Sequence, residues 1–164
     1  MKGRQVVLSI LMVLVVAGVT LFPIPIPATK LSFNLSESFI YLSAILFGAR
    51  VGGFAGGVGS SLAVLILNSG NFIPITFLVK GLEGIVCGKI SEGRGIFSQV
   101  MACLVSGFLM VALFFFTEFL ISGRAYALYK LPFDVVQALS GLILAVPIAN
   151  LLMRVPYIYD LREL

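Results

Sequence analysis

A chain of 164 residues that is 60% hydrophobic and 11% charged, with a mean hydropathy of +1.13, carries more apolar surface than one small soluble core can hide. It reads as an all-α integral membrane protein, a single transmembrane domain over 1–164. With no histidine, His-based acid–base chemistry, catalytic triads and His-ligated zinc are excluded; the net charge of +4 is scattered between apolar runs and offers no nucleic-acid face.

Crossing hydrocarbon as a helix takes about 20 residues, fewer where neighbouring protein shields the ends. In chain order the apolar runs predict six spans, roughly 5–22, 35–49, 51–68, 74–91, 97–121 and 132–153. The first follows MKGRQ and resembles a signal peptide. Its apolar run continues to Phe22, however, and meets Pro23, Pro25 and Pro27 in place of a small-x-small cleavage site, so it reads as a retained span. Glu37 and Arg50 bracket the second, the shortest. Asn68, Ser69, Gly70, Asn71 and Pro74 predict a turn between the third and fourth. Cys87 and Cys103 fall in separate apolar runs and read as buried free thiols.

Loop charges orient these spans. With the N-terminus inside, the cytoplasmic side collects Lys2, Arg4, Arg50, Lys89, Arg94, Arg154 and Arg162, and the outside only Lys30, Arg124 and Lys130. That bias predicts a six-helix bundle with both termini cytoplasmic.

Glycine supplies the next pattern. In FGARVGGFAGGVGSS, Gly48, Gly52, Gly56 and Ser60 recur every fourth residue, as do Gly53, Gly57 and Ser61. A phosphate-binding loop would need Gly-x4-Gly-Lys-Ser/Thr after a strand, and neither is present. Small residues at this spacing instead allow close approach of membrane helices.

Polar groups within the spans are costly and carry the functional signal. At about 100° per residue, Thr76, Lys80, Glu83, Gly84 and Cys87 share one face of the fourth span, and Leu78, Leu82, Ile85 and Val86 the other. Asp134 and Gln137 share a small-residue face of the sixth span. Glu118 lies near the outer end of the fifth, with Phe114 on its face. Asn34, Ser36 and Glu37 open the second, where Asn34 or Ser36 also suits a helix cap. At 1.5 Å per residue, Lys80 and Glu83 lie about 9–14 Å below the outer end of their helix, and Asp134 and Gln137 within about 8 Å of theirs. Polar side chains from four helices thus converge in the outer half of the bilayer, as in a pocket open to one side, whereas a conduction path would be lined throughout. The outer segment SGRAYALYKL offers Tyr126 and Tyr129 as a lid or as interfacial belt residues. An ion pair that merely pins two helices is the competing reading of Lys80 and Glu83, and packing that of Phe114.

Three blocks, NLSESFIYLSAILFGARVGGFAGGVGSSLA, PITFLVKGLEGIVCG and LPFDVVQALSGLILAVPI, resemble the S component, the substrate-binding membrane subunit, of energy-coupling factor (ECF) vitamin transporters. The likeness runs from about residue 5 to 153. It is strongest to the riboflavin-type branch, which also holds hydroxymethylpyrimidine- and pyridoxine-linked proteins, and most specific at Lys80-Gly81-Leu82-Glu83-Gly84. The resemblance implies a prokaryotic plasma-membrane protein that is no enzyme and needs no cofactor. It would capture a small water-soluble vitamin or precursor (pyridoxine, hydroxymethylpyrimidine or riboflavin class) in an outward-facing pocket closed by the loop between spans 1 and 2. A transmembrane T component and two ATPase subunits would drive uptake by toppling it, consistent with the missing P-loop. Substrate contacts are expected from Asn34, Glu37, Thr76, Lys80, Glu83, Phe114, Glu118, Tyr126, Asp134 and Gln137. T-component contacts are expected at Ser9, Val13 and Ala17, the register of the family's Ala-x-x-x-Ala motif. The chain departs from that motif at Val13, has Asp134 where the branch favours an amide, and has no tryptophan for the ring stacking of thiamine-binding relatives. A stand-alone proton-coupled secondary transporter acting through Glu83 or Glu118 is the alternative, although no inverted repeat is evident. A lipid-modifying enzyme is a more distant one, lacking an acidic metal cluster.

Overall fold

The computed structural model describes residues 3–25, 27, 32–67, 72–92 and 95–155. Lys2, Lys30, Arg94, Arg162 and the expected 68–71 turn lie outside them. The chain is all-α apart from one small ribbon. Helix α1 (Gly3–Thr20) is a β-branched and Leu-rich run that stops before Pro23. It leads into β1 (Ile24–Pro25), paired antiparallel with β2 (Ser32–Phe33) so that Ile24 faces Phe33. Then come α2 (Ser36–Phe54), a π-helical turn (Ala55–Gly59), α3 (Ser60–Ile66), α4 (Ile73–Ser91), α5 (Ile96–Ser122) and α6 (Arg124–Leu152).

The second and third predicted spans meet at Gly48, two residues before the expected break at Arg50. Gly48 has φ 84° and ψ 176°, a conformation an L side chain rarely adopts. The chain doubles back there, so that Gly52 lies against Ala44, and Gly56 against Ile40. The glycine repeat then packs the second arm of this hairpin onto α4. A Cβ at Gly84 would lie 2.2 Å from the carbonyl oxygen of Gly52, one at Gly56 2.3 Å from that of Lys80, and one at Gly88 2.3 Å from the Cα of Ala49. The small-residue stripe is thus a helix–helix seam, as expected from its spacing.

Helix α6 begins at Arg124, well before residue 132, so the segment expected as an outer loop is helical and only Gly123 (φ 85°) separates it from α5. Pro132 resembles a helix start but lies inside the helix, as does Pro147. Each removes one backbone hydrogen bond, a loss that membrane helices tolerate when neighbouring groups satisfy the freed carbonyl.

Three helical stretches among the described residues are long and apolar enough to cross a membrane: Ser36–Ile66, Ile96–Ser122 and Arg124–Leu152. The first is the hairpin. The outer faces of α5 and α6 remain apolar and exposed, including Phe97, Phe108, Phe116 and Leu120. The core lies where α2, α4, α5 and α6 meet, around Tyr41, Ile45, Cys103 and Ala145, and the free thiols of Cys87 and Cys103 are buried in it. A second cluster, Met12, Val16, Ile40, Val51 and Ala55, seats α1 on the hairpin.

Two of the three expected T-component contacts, Ser9 and Ala17, are turned inward, and Val13 is half-buried. Ser9 is 5% and Ala17 4% exposed, and a Cβ at Gly59 would lie 2.8 Å from the carbonyl oxygen of Val13. The exposed face of α1 is instead Val6, Val7, Ile10, Leu11 and Leu14. The four-residue repeat on this helix therefore packs within the chain at Ser9 and Ala17.

Candidate functional site

A cavity of about 180 Å³ lies at the end of the bundle where α1 and α3 finish and α2, α4 and α6 begin. The opposite end carries Arg50, Lys89 and Arg154. Two lysines organise the cavity. Lys80 on α4 is 5% exposed, and its ammonium pairs with Glu37 of α2 and lies 3.3 Å from Glu83 Oε2, one turn along its own helix. Glu37 also accepts hydrogen bonds from Ser36 Oγ (2.5 Å) and Gln137 Nε2 (2.6 Å), and Glu83 Oε1 accepts one from Tyr41 Oη (2.8 Å). Both carboxylates are fully buried. Burying one ion alone costs several kcal/mol, so these groups persist because they compensate one another.

Glycines bring them together. Gly141 of α6 leaves no room for a Cβ, which would lie 2.6 Å from Glu37 Cβ, and Gly107 of α5 leaves none beside the Tyr41 hydroxyl, 2.8 Å away. Helix α2 can therefore press its polar edge between α5 and α6 and present Glu37 to Lys80.

The second cation is Lys130. Its ammonium is 2.5 Å from Glu118 Oε1 on α5 and 2.9 and 3.1 Å from the two oxygens of Asp134, one turn along α6. Phe114 stands between the two lysines, its ring centre 5.5 Å from Lys80 Nζ and 5.1 Å from Lys130 Nζ. The ring face attracts both cations. It also places an aromatic surface beside the polar groups, an arrangement suited to a flat ligand with hydrogen-bonding edges.

Of the expected contacts, Asn34, Thr76, Lys80, Phe114, Asp134 and Gln137 line the cavity. Asn34 also accepts a hydrogen bond from the Ser36 backbone N–H (3.0 Å), so it both starts α2 and faces the site. Glu37, Glu83 and Glu118 stand behind the lining and hold the lysines. Tyr126 is 40% exposed on α6 and is not among the lining residues, so as placed it forms no lid. Sequence reasoning missed Thr20, Ser60, Val64, Lys130 and Phe133 as lining residues, and Tyr41 as a hydrogen-bond donor. Reading 124–131 as helix would have revealed Lys130 and Asp134 as an i,i+4 pair. Ser60 was hidden inside the glycine repeat.

A larger groove of about 690 Å³ runs along Gly53, Phe77, Gly81 and Ile85, but its lining is almost wholly apolar. A water-soluble ligand needs several converging polar groups, which the smaller cavity offers and this groove does not. Among the described residues no three His, Cys, Asp or Glu side chains are placed to hold a metal ion.

Comparison with known proteins adds an independent line. The family profile described as "ECF-type riboflavin transporter, S component" matches residues 3–154. An uncharacterized protein from the gap 3' region of Pyrococcus woesei is 37% identical over 122 residues, 74% of this chain and 82% of the relative. The thiamine precursor transporter HmpT of Lactococcus lactis subsp. cremoris is 26% identical over 144 residues, 87% of this chain and 83% of that protein.

Proposed function

The chain belongs to the ECF-type riboflavin transporter S component family, and from that premise we propose that it captures a small water-soluble vitamin or precursor for an ATP-driven importer. The ligand is of the pyridoxine, hydroxymethylpyrimidine or riboflavin class. The observation that carries this reading is the cavity at one end of the bundle, where Lys80, Phe114 and Lys130 converge. A polar cavity at one end of the bundle binds and holds; release to the other side needs the whole subunit to reorient, and that work falls to a T component and two ATPase subunits. The protein itself catalyses no reaction and resides in a prokaryotic plasma membrane. Counting the two arms of the Gly48 hairpin separately, it makes six passes with both termini cytoplasmic.

Mass spectrometry of the detergent-purified protein is expected to find a copurifying heterocycle, and uptake of that compound in cells is expected to require the T component and the ATPases. Uptake that continues without the ATPases and collapses with an uncoupler would overturn the reading in favour of proton-coupled transport. Phe114→Leu removes a ring face and two cation–ring contacts, each worth roughly 0.5–2 kcal/mol; ligand affinity is expected to fall about tenfold or more by isothermal calorimetry. For topology, Arg124→Cys is expected to react with an impermeant maleimide added outside intact cells, and Arg50→Cys only after permeabilisation.

A further inference from the structure

We propose that the groove between the second arm of the Gly48 hairpin and α4 binds one anionic membrane lipid, its phosphate held by Arg50 and Lys89 and one hydrocarbon chain laid along the groove. The inference rests on the topology proposed above, which sets this end of the bundle at the inner leaflet, and is independent of which vitamin fills the cavity.

Close backbone packing makes the groove. A Cβ added at Gly81 would lie 3.7 Å from the carbonyl oxygen of Gly53 and from the Cα of Gly57, so the two helices meet there without side chains to fill the furrow. Exposed Phe54, Phe77 and Leu82 stand beside it, with Ile85. The space is about 690 Å³, inside the roughly 300–1,000 Å³ usual for ligand sites. From Phe77 to Lys89 it follows α4 for about 18 Å, at 1.5 Å per residue. One leaflet of the hydrocarbon core is about 15 Å deep, half of the whole. A groove of that length suits a single lipid chain of one leaflet.

Charge marks the end where the headgroup belongs. Arg50 and Lys89 are the charged residues of the lining, both at the inner end, and the rest of the lining is apolar or glycine. They sit side by side: a Cβ at Gly88 would lie 2.3 Å from the Cα of Ala49, so the next residue along each segment reaches the same level. Both side chains are exposed, and neither is paired with an acidic group among the described residues. Glu92, the acidic residue at this end among those described, does not line the groove; its carboxylate is turned to Gly48, 3.5 Å from where a Cβ would stand. Positive charge is common at inner helix ends. Two cations at the mouth of one apolar groove are a narrower arrangement, and basic pockets between helices at the inner face bind anionic lipid headgroups. An apolar helix of a partner protein would fill the groove and leave both cations unanswered.

The test is native mass spectrometry of the purified, delipidated protein released from detergent micelles, with dioleoyl phosphatidylglycerol or dioleoyl phosphatidylcholine added. Phosphatidylglycerol is expected to be retained as a single adduct with an affinity about 30-fold above that of phosphatidylcholine, the scale of two basic side chains near one anionic headgroup. The double variant Arg50→Gln, Lys89→Gln is expected to lose that preference and to keep its copurifying heterocycle, because both residues lie at the end of the bundle opposite the cavity. Arg154→Gln, at the same end but outside the groove lining, is expected to keep the preference. Equal retention of the two lipids, or an equal loss of preference in Arg154→Gln, would overturn the site. Displacement of phosphatidylglycerol by excess glycerol 1-phosphate would overturn it in favour of a free-phosphate site, and a dimer that excludes lipid would place a second copy in the groove instead. None of these outcomes touches the receptor reading, whose failure shows separately as a protein that purifies with no heterocycle.

Discussion

Lys80→Met is expected to lower stability by about 3–5 kcal/mol and to abolish ligand retention, because it strands Glu37 and Glu83 in a fully buried site with no cation. Thermal melting in detergent reads the first effect and calorimetry the second. The informative variant is the triple substitution Lys80→Met, Glu37→Gln, Glu83→Gln. It removes all three charges together, and replacing a buried ionic cluster by neutral groups of similar volume is often neutral or stabilising. Most of the lost stability is therefore expected to return. Binding is not, because Lys80 lines the cavity and Glu37 anchors Gln137 there. Recovery of both would mean that the cluster only pins helices together. Recovery of neither would mean that the amides cannot replace the charged contacts with Ser36 and Tyr41.

Gly84→Val is expected to prevent assembly of the bundle. A Cβ at this position would sit 2.2 Å from the oxygen and 2.4 Å from the carbonyl carbon of Gly52, so the obstacle is backbone and no side chain can turn away. Even Gly84→Ala is expected to cost at least about 1–3 kcal/mol, the usual range for overpacking. It would also separate the hairpin from α4 beside Lys80 and weaken ligand binding with stability. Gly18→Ala and Gly95→Ala, with nothing within 4 Å of their added methyl groups, are expected to melt within about 0.5 kcal/mol of the parent. A Gly84→Ala protein as stable as those controls would show that the hairpin and α4 are not in close contact.

The contrast between Lys80 and Tyr126 shows how far the sequence reaches. Lys80 was legible because charge in an apolar run is expensive, and helical periodicity put it on the same face as Thr76 and Glu83. Tyr126 was misplaced because Pro132 resembled the start of α6. The cost of one missing hydrogen bond was too small to stop the helix, so the segment from Arg124 became part of it. The same shift hid Lys130. Val13 and its neighbours illustrate a different ambiguity. A small-residue repeat marks a face that packs closely, but whether the packing partner is another subunit or the chain's own hairpin is a long-range fact.

What the sequence determined by itself was therefore local or one-dimensional: an all-α chain too apolar to be soluble, a close-packing glycine seam, and the helix faces that bear costly polar groups. These follow from composition and from the 100° step of the helix, and need no knowledge of neighbours. Only the tertiary structure decided which of those groups meet. It paired Lys80 with Glu37, 43 positions away, and Glu37 with Gln137, 100 positions away, through close approaches at Gly107 and Gly141. It also placed Ser60 in the cavity lining. Periodicity fixes the direction of a side chain around its own axis; the backbone contacts that glycines permit fix what lies opposite.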